Sequence, residues 1–190
     1  MKTAGERMEI IHHPEYQEFH LFNDRISYLI GILANGQLAH LYFGPRLPDE
    51  PKKSHRYLAD ISDTSQAVFL PVHPPLSLEF TMQEYPGYGT TDFRQPAFEL
   101  LQQNGSRISS FEYVGHKIYK GKKSLNGLPC TYVEEAGEAQ TLEITLLDRL
   151  LQCEAVLSYT IFRDYPVVTR NVCFYNRGGE ELTLTRAMSM

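Results

Sequence analysis

The chain has 190 residues, enough for one domain with a sizeable core, and its 42% hydrophobic and 22% charged residues are those of an ordinary water-soluble globule. A net charge of -5 and a pI near 5.8 argue against nucleic-acid binding, which needs concentrated Lys and Arg on one face. No apolar run is long enough to span a bilayer as a helix, and residues 1–9 lack the apolar core of a signal peptide.

Aromatic residues make up 12% of the chain, as 12 Tyr and 10 Phe with no Trp, and they favour strands. Ile26, Tyr28, Ile30 and Ile32 alternate with polar or small residues, and Leu38, His40 and Tyr42 resume the alternation. Between them stands Asn35-Gly36, which predicts a hairpin with a type I′ turn. Residues 45–65 and 71–75 carry Pro, Asp, Lys, Ser and His without alternation, and read as long connections of the kind that often serve function. Asn104-Gly105 predicts a second hairpin, joining 97–103 to 106–113, and Asn126-Gly127 a third turn.

Further on, Leu142, Ile144 and Leu146 form one alternating set. Cys153, Ala155, Leu157, Tyr159 and Ile161 form another, and Val168, Arg170, Val172 and Phe174 a third. Leu182, Leu184 and Met188 give a last strand pattern. No 3.6-residue stripe persists for three turns. The expected fold class is all-β: a large antiparallel sandwich spanning residues 1–190. The last strand pattern runs into Met190 without a turn or polar tail, so the chain is expected to be a truncated part of a longer protein.

The cysteines Cys130, Cys153 and Cys173 are odd in number and lack CxxC spacing, which suits a reduced, cytoplasmic protein. Cys153 and Cys173 fall in strand patterns and read as small buried hydrophobes. His12, His13 and His20 are close in sequence, but His12 and His13 on a strand point to opposite faces, so metal binding is not expected. No phosphate loop, GxSxG elbow or cofactor motif is present, and no cofactor is expected. Lys117, Lys120, Lys122 and Lys123 read as a solvated turn. Glu134-Glu135 and Glu180-Glu181 read as solvent-facing charges rather than a glycosidase pair. Tyr85, Tyr88, Asp92, Phe93 and Arg94 mix rings with polar groups as sugar sites do, yet read better as a loop pinned by Asp92 and Arg94.

Several segments resemble the N-terminal domains of family 36 glycoside hydrolases: residues 83–97 (QEYPGYGTTDFRQPA), 38–44 (LAHLYFG) with Arg46, 116–122 (HKIYKGK), 125–129 (LNGLP), 131–134 (TYVE), 176–180 (NRGGE) and 186–190 (RAMSM). The resemblance covers nearly all of the chain beyond its first ten residues. It implies an N-terminal β-supersandwich, followed in the parent by a (β/α) barrel and a small C-terminal sandwich. It also implies retaining hydrolysis of terminal α-galactosides such as melibiose and raffinose. Both catalytic Asp residues of such enzymes lie in the barrel, so no catalytic residue is assigned in this chain. Tetrameric members lend a loop of this domain to a neighbour's substrate pocket. Counting without gaps from Gly44, the galactose-contacting Asp matches Asp60, while an Arg that some members carry further on has no clear match near Val72-His73-Pro74. The implied partners are the galactoside and other copies of the chain, with no nucleic acid or membrane. Two other readings are an autonomous carbohydrate-binding module and a mutarotase-like enzyme, which would need His40 or His116 to converge with a carboxylate.

Overall fold

A computed structural model describes residues 8–50, 52–59, 76–90, 92–127 and 129–188. Among these, ten strands form three antiparallel sheets. Strands β1 (Glu9–His13), β2 (Glu18–Phe22), β3 (Ile26–Ile32) and β4 (Leu38–Pro45) pair in chain order. Strands β6 (Glu112–Lys120), β7 (Ala139–Asp148), β8 (Cys153–Phe162) and β9 (Val168–Asn176) do the same. Strands β5 (Phe98–Gln102) and β10 (Leu182–Ala187) pair with each other. The all-β sandwich expected from the alternation is what forms.

The alternating residues explain the layering. Leu142 faces Tyr159, Ile144 faces Leu157 and Leu146 faces Ala155 across β7 and β8, so the register places apolar residue opposite apolar residue. This face packs on Phe19, Leu21, Tyr28 and Ile30 of the first sheet in one continuous core. Rings meet across the layers: Tyr28 and Tyr159 lie 5.9 Å apart, Phe19 and His116 4.9 Å. Burying each such side chain stabilises the fold by about 1.5–3 kcal/mol. The first sheet is also covered on its outer face, where Leu29, Leu33, Ala39, Leu41 and Leu78 form a smaller core. Strands β2 and β3 are therefore buried on both sides.

Four expectations need correction. At Asn35-Gly36 the hairpin forms, but only Gly36 has a positive φ, of 84°. Gly36 N donates to Leu33 O and Leu33 N to Gln37 O, the pattern of a type I turn closed by a glycine bulge. Asn104-Gly105 makes the same kind of turn, but residues 106–111 form no strand. Of its two strong hydrophobes Ile108 stays half exposed and Phe111 enters the core, three positions apart and so out of step with a strand's period of two, and Ser109 N bonds Tyr88 O instead. Strand β5 pairs with β10, where Phe98 and Leu100 are buried and Leu182 packs on the core. Cys173 is exposed, because it faces away from the core side shared by Val172 and Phe174. Met188, expected to continue the last strand, lies one residue past the end of β10.

Candidate functional site

Asp60 itself lies outside the described residues. The arm leading to it, residues 46–50 and 52–59, is described, and it crosses the outer face of the first sheet. The alternation of β1 and β2 builds its anchorage. His12 and Phe19 point to the core and stack at 4.6 Å, so His13 and His20 point outward. There they converge on one atom: Asp49 Oδ1 lies 2.9 Å from His13 Nε2 and 3.0 Å from His20 Nδ1. His20 Nε2 lies 2.9 Å from Ser27 Oγ, which in turn accepts Leu47 N–H at 2.9 Å. This chain of partners is satisfied by a neutral His20 with its proton on Nδ1: Nδ1–H donates to Asp49 and Ser27 O–H donates to Nε2.

The charges agree with that assignment. Burial pushes His20 down to about 4, against the raising pull of Asp49 and with Arg46 and His55 adding to the fall. Burial works against ionisation of Asp49, but the hydrogen bonds from His20 and His13 prevail and hold its carboxyl below the usual range.

A second anchor follows. Glu18, fully buried, accepts Ser54 Oγ–H and His55 N–H, and lies 3.3 Å from His55 Nδ1. Arg56 then donates to Tyr16 O at 3.2 Å and to Ile32 O at 2.6 Å. Arg46, at the arm's start, lies 3.5 Å over the Phe22 ring. The arm ends in a short 3₁₀ turn, Arg56–Ala59, in which Tyr57 is 64% exposed although its neighbour His55 is buried. A polar segment without strand pattern is thus fixed at both ends, with an exposed aromatic residue three positions before Asp60.

A second polar cluster joins the two sheets. Glu84, 1% exposed in its side chain, accepts Tyr28 O–H at 2.6 Å, His40 Nδ1–H at 2.9 Å and Arg170 Nη1–H at 2.9 Å. Burial and the adjacent Glu84 carboxylate push the Tyr28 phenol up. Burial disfavours the Arg170 cation, but Tyr159, Glu84 and Tyr28 more than restore it. A cavity of about 370 Å³ opens beside the cluster, rimmed by Met82, Pro86, Pro96 and Met188. His40 does meet a carboxylate, as the mutarotase-like reading required, at Glu84 Oε2, but that carboxylate is buried and its Oε1 holds both Tyr28 and Arg170. The geometry is that of a cross-sheet fastening. Among the described residues His116 meets no carboxylate, and it lies 2.7 Å from the Tyr113 hydroxyl, against His12.

Asp92 and Arg94 pin their own loop. Arg94 Nε donates to Asp92 Oδ1 at 2.9 Å and Nη2 to Leu78 O and Thr81 O, while Gln83 Nε2 donates to Asp92 Oδ2. The lysines do not form one turn as expected: Lys117 and Lys120 stand exposed on β6, and Lys123, in the loop after it, pairs with Glu143 at 2.7 Å. Among the described residues no three His, Cys, Asp or Glu side chains are placed to hold a metal ion, and no helix is long and apolar enough to cross a membrane. Sequence reasoning missed Asp49, Glu18, Glu84 and Arg170. For Arg170 a signal existed, because it occupies a core-facing position of an otherwise apolar alternation and so needed a buried partner.

The fold and these motifs have close counterparts. The family model for the glycosyl hydrolase family 36 N-terminal domain matches residues 36–190. The chain is 42% identical to α-galactosidase AgaA of Geobacillus stearothermophilus over 96% of its own length and 25% of that enzyme's. It superposes on the crystal structure of α-galactosidase AgaB from the same organism with a TM-score of 0.85, at 42% identity, covering 96% of this chain and 24% of that one. Variants of AgaA solved with raffinose and with stachyose superpose with TM-scores of 0.81 and 0.80, each at 42% identity over 90% of this chain and 24% of theirs. The chain spans about a quarter of the length of the relatives it matches. Sharing their sandwich, their motifs and almost all of its own length with these enzymes, the chain belongs to glycosyl hydrolase family 36, as an N-terminal domain of that family.

Proposed function

We propose that this chain is the non-catalytic N-terminal sandwich of an α-galactosidase, a retaining hydrolase of terminal α-galactosides such as melibiose and raffinose. The observation behind this reading is the coverage: nearly all of the chain aligns to one quarter of α-galactosidases. In this reading residues 1–190 belong to a supersandwich that precedes a catalytic barrel, and the barrel supplies both catalytic carboxylates. The domain supports the barrel and takes part in a homo-oligomer, a tetramer in full-length form. Its three free cysteines support a cytoplasmic setting.

The arm is the part proposed to touch substrate. Asp60 enters a neighbouring subunit's pocket and accepts hydrogen bonds from two galactose hydroxyls. The support is that the described arm is anchored by Asp49, Glu18 and Arg56, the last of which lies four positions before it. Such anchorage lowers the entropy lost when a loop residue engages a ligand.

The test is hydrolysis of a chromogenic α-galactoside by the 190-residue chain, beside a longer form built to the length of the relatives. Turnover by the longer form alone is expected. Turnover by the 190-residue chain, or by neither, overturns the reading.

A further inference from the structure

A cleft of about 550 Å³ opens between the loop after β6 and the β8–β9 turn, lined by Tyr132, Glu134, Glu138, Phe162, Asp164 and Tyr165. It shares no lining residue with the Asp49 arm or the Glu84 cavity. Tyr132 is 79% exposed and Tyr165 66%. A single exposed ring is ordinary on a protein surface. Two in one cleft, beside Phe162, are a concave apolar wall left open to water.

The wall is rigid. Asn23, fully buried in the β2–β3 turn of the opposite sheet, donates Nδ2–H to Phe162 O at 2.7 Å and to Tyr165 O at 2.8 Å. Its own Oδ1 accepts Arg25 N–H and Ile26 N–H, which fixes the amide. Val167 N donates to Tyr165 O, and Arg163 N to Glu138 O. On the facing side Glu138 Oε2 accepts Glu134 N–H at 3.0 Å. Tyr165 thus rises from backbone held in place before any ligand arrives, with Tyr132 facing it two residues before the Glu134 bond.

The chemistry of the lining narrows the ligand. Glu134, Glu138 and Asp164 supply hydrogen-bond acceptors, and the one cation beside them among the described residues, Arg163, is paired with Asp164 at 3.3 Å. The carboxylates do not converge as a metal site. A wholly apolar ligand would strip water from these carboxylates and return no hydrogen bond. A polyol fits: its C–H faces stack on the tyrosine rings and its hydroxyls donate to the carboxylates. The volume lies within the range of small-molecule sites.

We propose that this cleft binds a neutral oligosaccharide of the α-galactoside class, so that the 190-residue chain holds saccharide by itself. The choice of α-galactosides rests on the function proposed above, while the saccharide chemistry rests on the cleft. The test is a 1H–15N NMR titration of the 190-residue chain with raffinose and with stachyose to tens of millimolar, and with maltotriose as a sugar lacking galactose. Saturable shifts confined to residues 131–138 and 162–167 are expected with the galactosides and not with maltotriose. Tyr132→Ala and Tyr165→Ala should each weaken binding by about tenfold, with melting temperature unchanged because both side chains are exposed, whereas Tyr165→Phe should retain binding.

Absence of shifts, shifts elsewhere, or binding indifferent to both alanine variants overturns the proposal. Equal binding of maltotriose overturns its galactoside class. Cleft shifts that follow protein concentration instead of sugar would mean that a second copy covers the site, and overturn it too. The result separates from the hydrolysis test: an active longer form with a silent titration removes the cleft alone, and a positive titration with an inactive longer form removes the enzyme reading alone.

Discussion

Asp49 Oδ1 lies 3.0 Å from His20 Nδ1, and the imidazole it meets is fully buried under the arm. One carboxylate oxygen, shared with His13, therefore joins the outer face of the first sheet to the segment that leads to Asp60. Asp49→Ala removes that shared acceptor and leaves a buried imidazole N–H unpaired. The expected loss is about 2 kcal/mol, a fall in melting temperature of roughly 4–8 °C. Asp49→Asn keeps an oxygen for one of the two imidazoles and should lose less. Thermal unfolding followed by circular dichroism checks both, and an unchanged Asp49→Ala melt would show that the arm is held without this contact.

The same buried histidine sets a pH dependence. His20 has a pKa near 4 in the fold, against 6.5 for the free side chain. Above pH 6.5 both states are neutral at this site and the stability is complete. As pH falls below 6.5 the unfolded chain binds a proton that the folded one refuses, so stability declines until about pH 4, where the folded site also titrates. The site's share of the loss is on the order of 3 kcal/mol. His12 and His116, both lowered chiefly by burial, act in the same direction. Depression of Asp49 adds a loss at lower pH, as its carboxylate protonates. Urea unfolding at intervals between pH 7 and 4 should show this slope, and His20→Gln should flatten it.

Glu84→Ala should destabilise far more than an exposed charge change, by about 3–5 kcal/mol, because it strands the Arg170 guanidinium between the sheets. Replacing both residues, as Glu84→Leu with Arg170→Met, removes the stranded charge and should cost less than the sum of the two single changes. Equilibrium denaturation of the four proteins of this cycle measures the coupling. Additive losses would mean that the pair does not act as a unit.

The two glycine turns separate strain from space. Gly36 and Gly105 share positive φ values of 84° and 83°, but a Cβ on Gly36 would meet Glu112 Cβ at 3.1 Å while one on Gly105 meets open space. Gly105→Ala should cost about 1 kcal/mol, the backbone contribution alone. Gly36→Ala should cost more, and denaturant midpoints of the two variants give the difference.

The sandwich was legible where both faces of a strand differ in polarity. In β7 and β8 the alternation gives the buried residues and, through them, the register. It failed where pairing depends on distant chain: β5 finds β10 some eighty residues away, and the turn at Asn104-Gly105 forms without its second arm pairing back. The polar anchors were hidden for a related reason. Alternation correctly places His12 and His13 on opposite faces, but only the folded arm brings Asp49 over His13 and His20. Glu84 lies in a motif that resembles the family, yet its partners Tyr28, His40 and Arg170 come from three separate strands.

The measurement that tests the account most directly is the steady-state kinetics of Asp60→Ala, in a longer form of the protein that contains the barrel, with raffinose as substrate. If the anchored arm presents Asp60 to a neighbour's galactoside, KM should rise by about tenfold or more, as expected when hydrogen bonds to a charged group are lost. The melting temperature and the oligomeric state should stay as they were. A KM and kcat equal to those of the unaltered enzyme would contradict the account, and would leave the arm as a covering of the first sheet with no part in binding substrate.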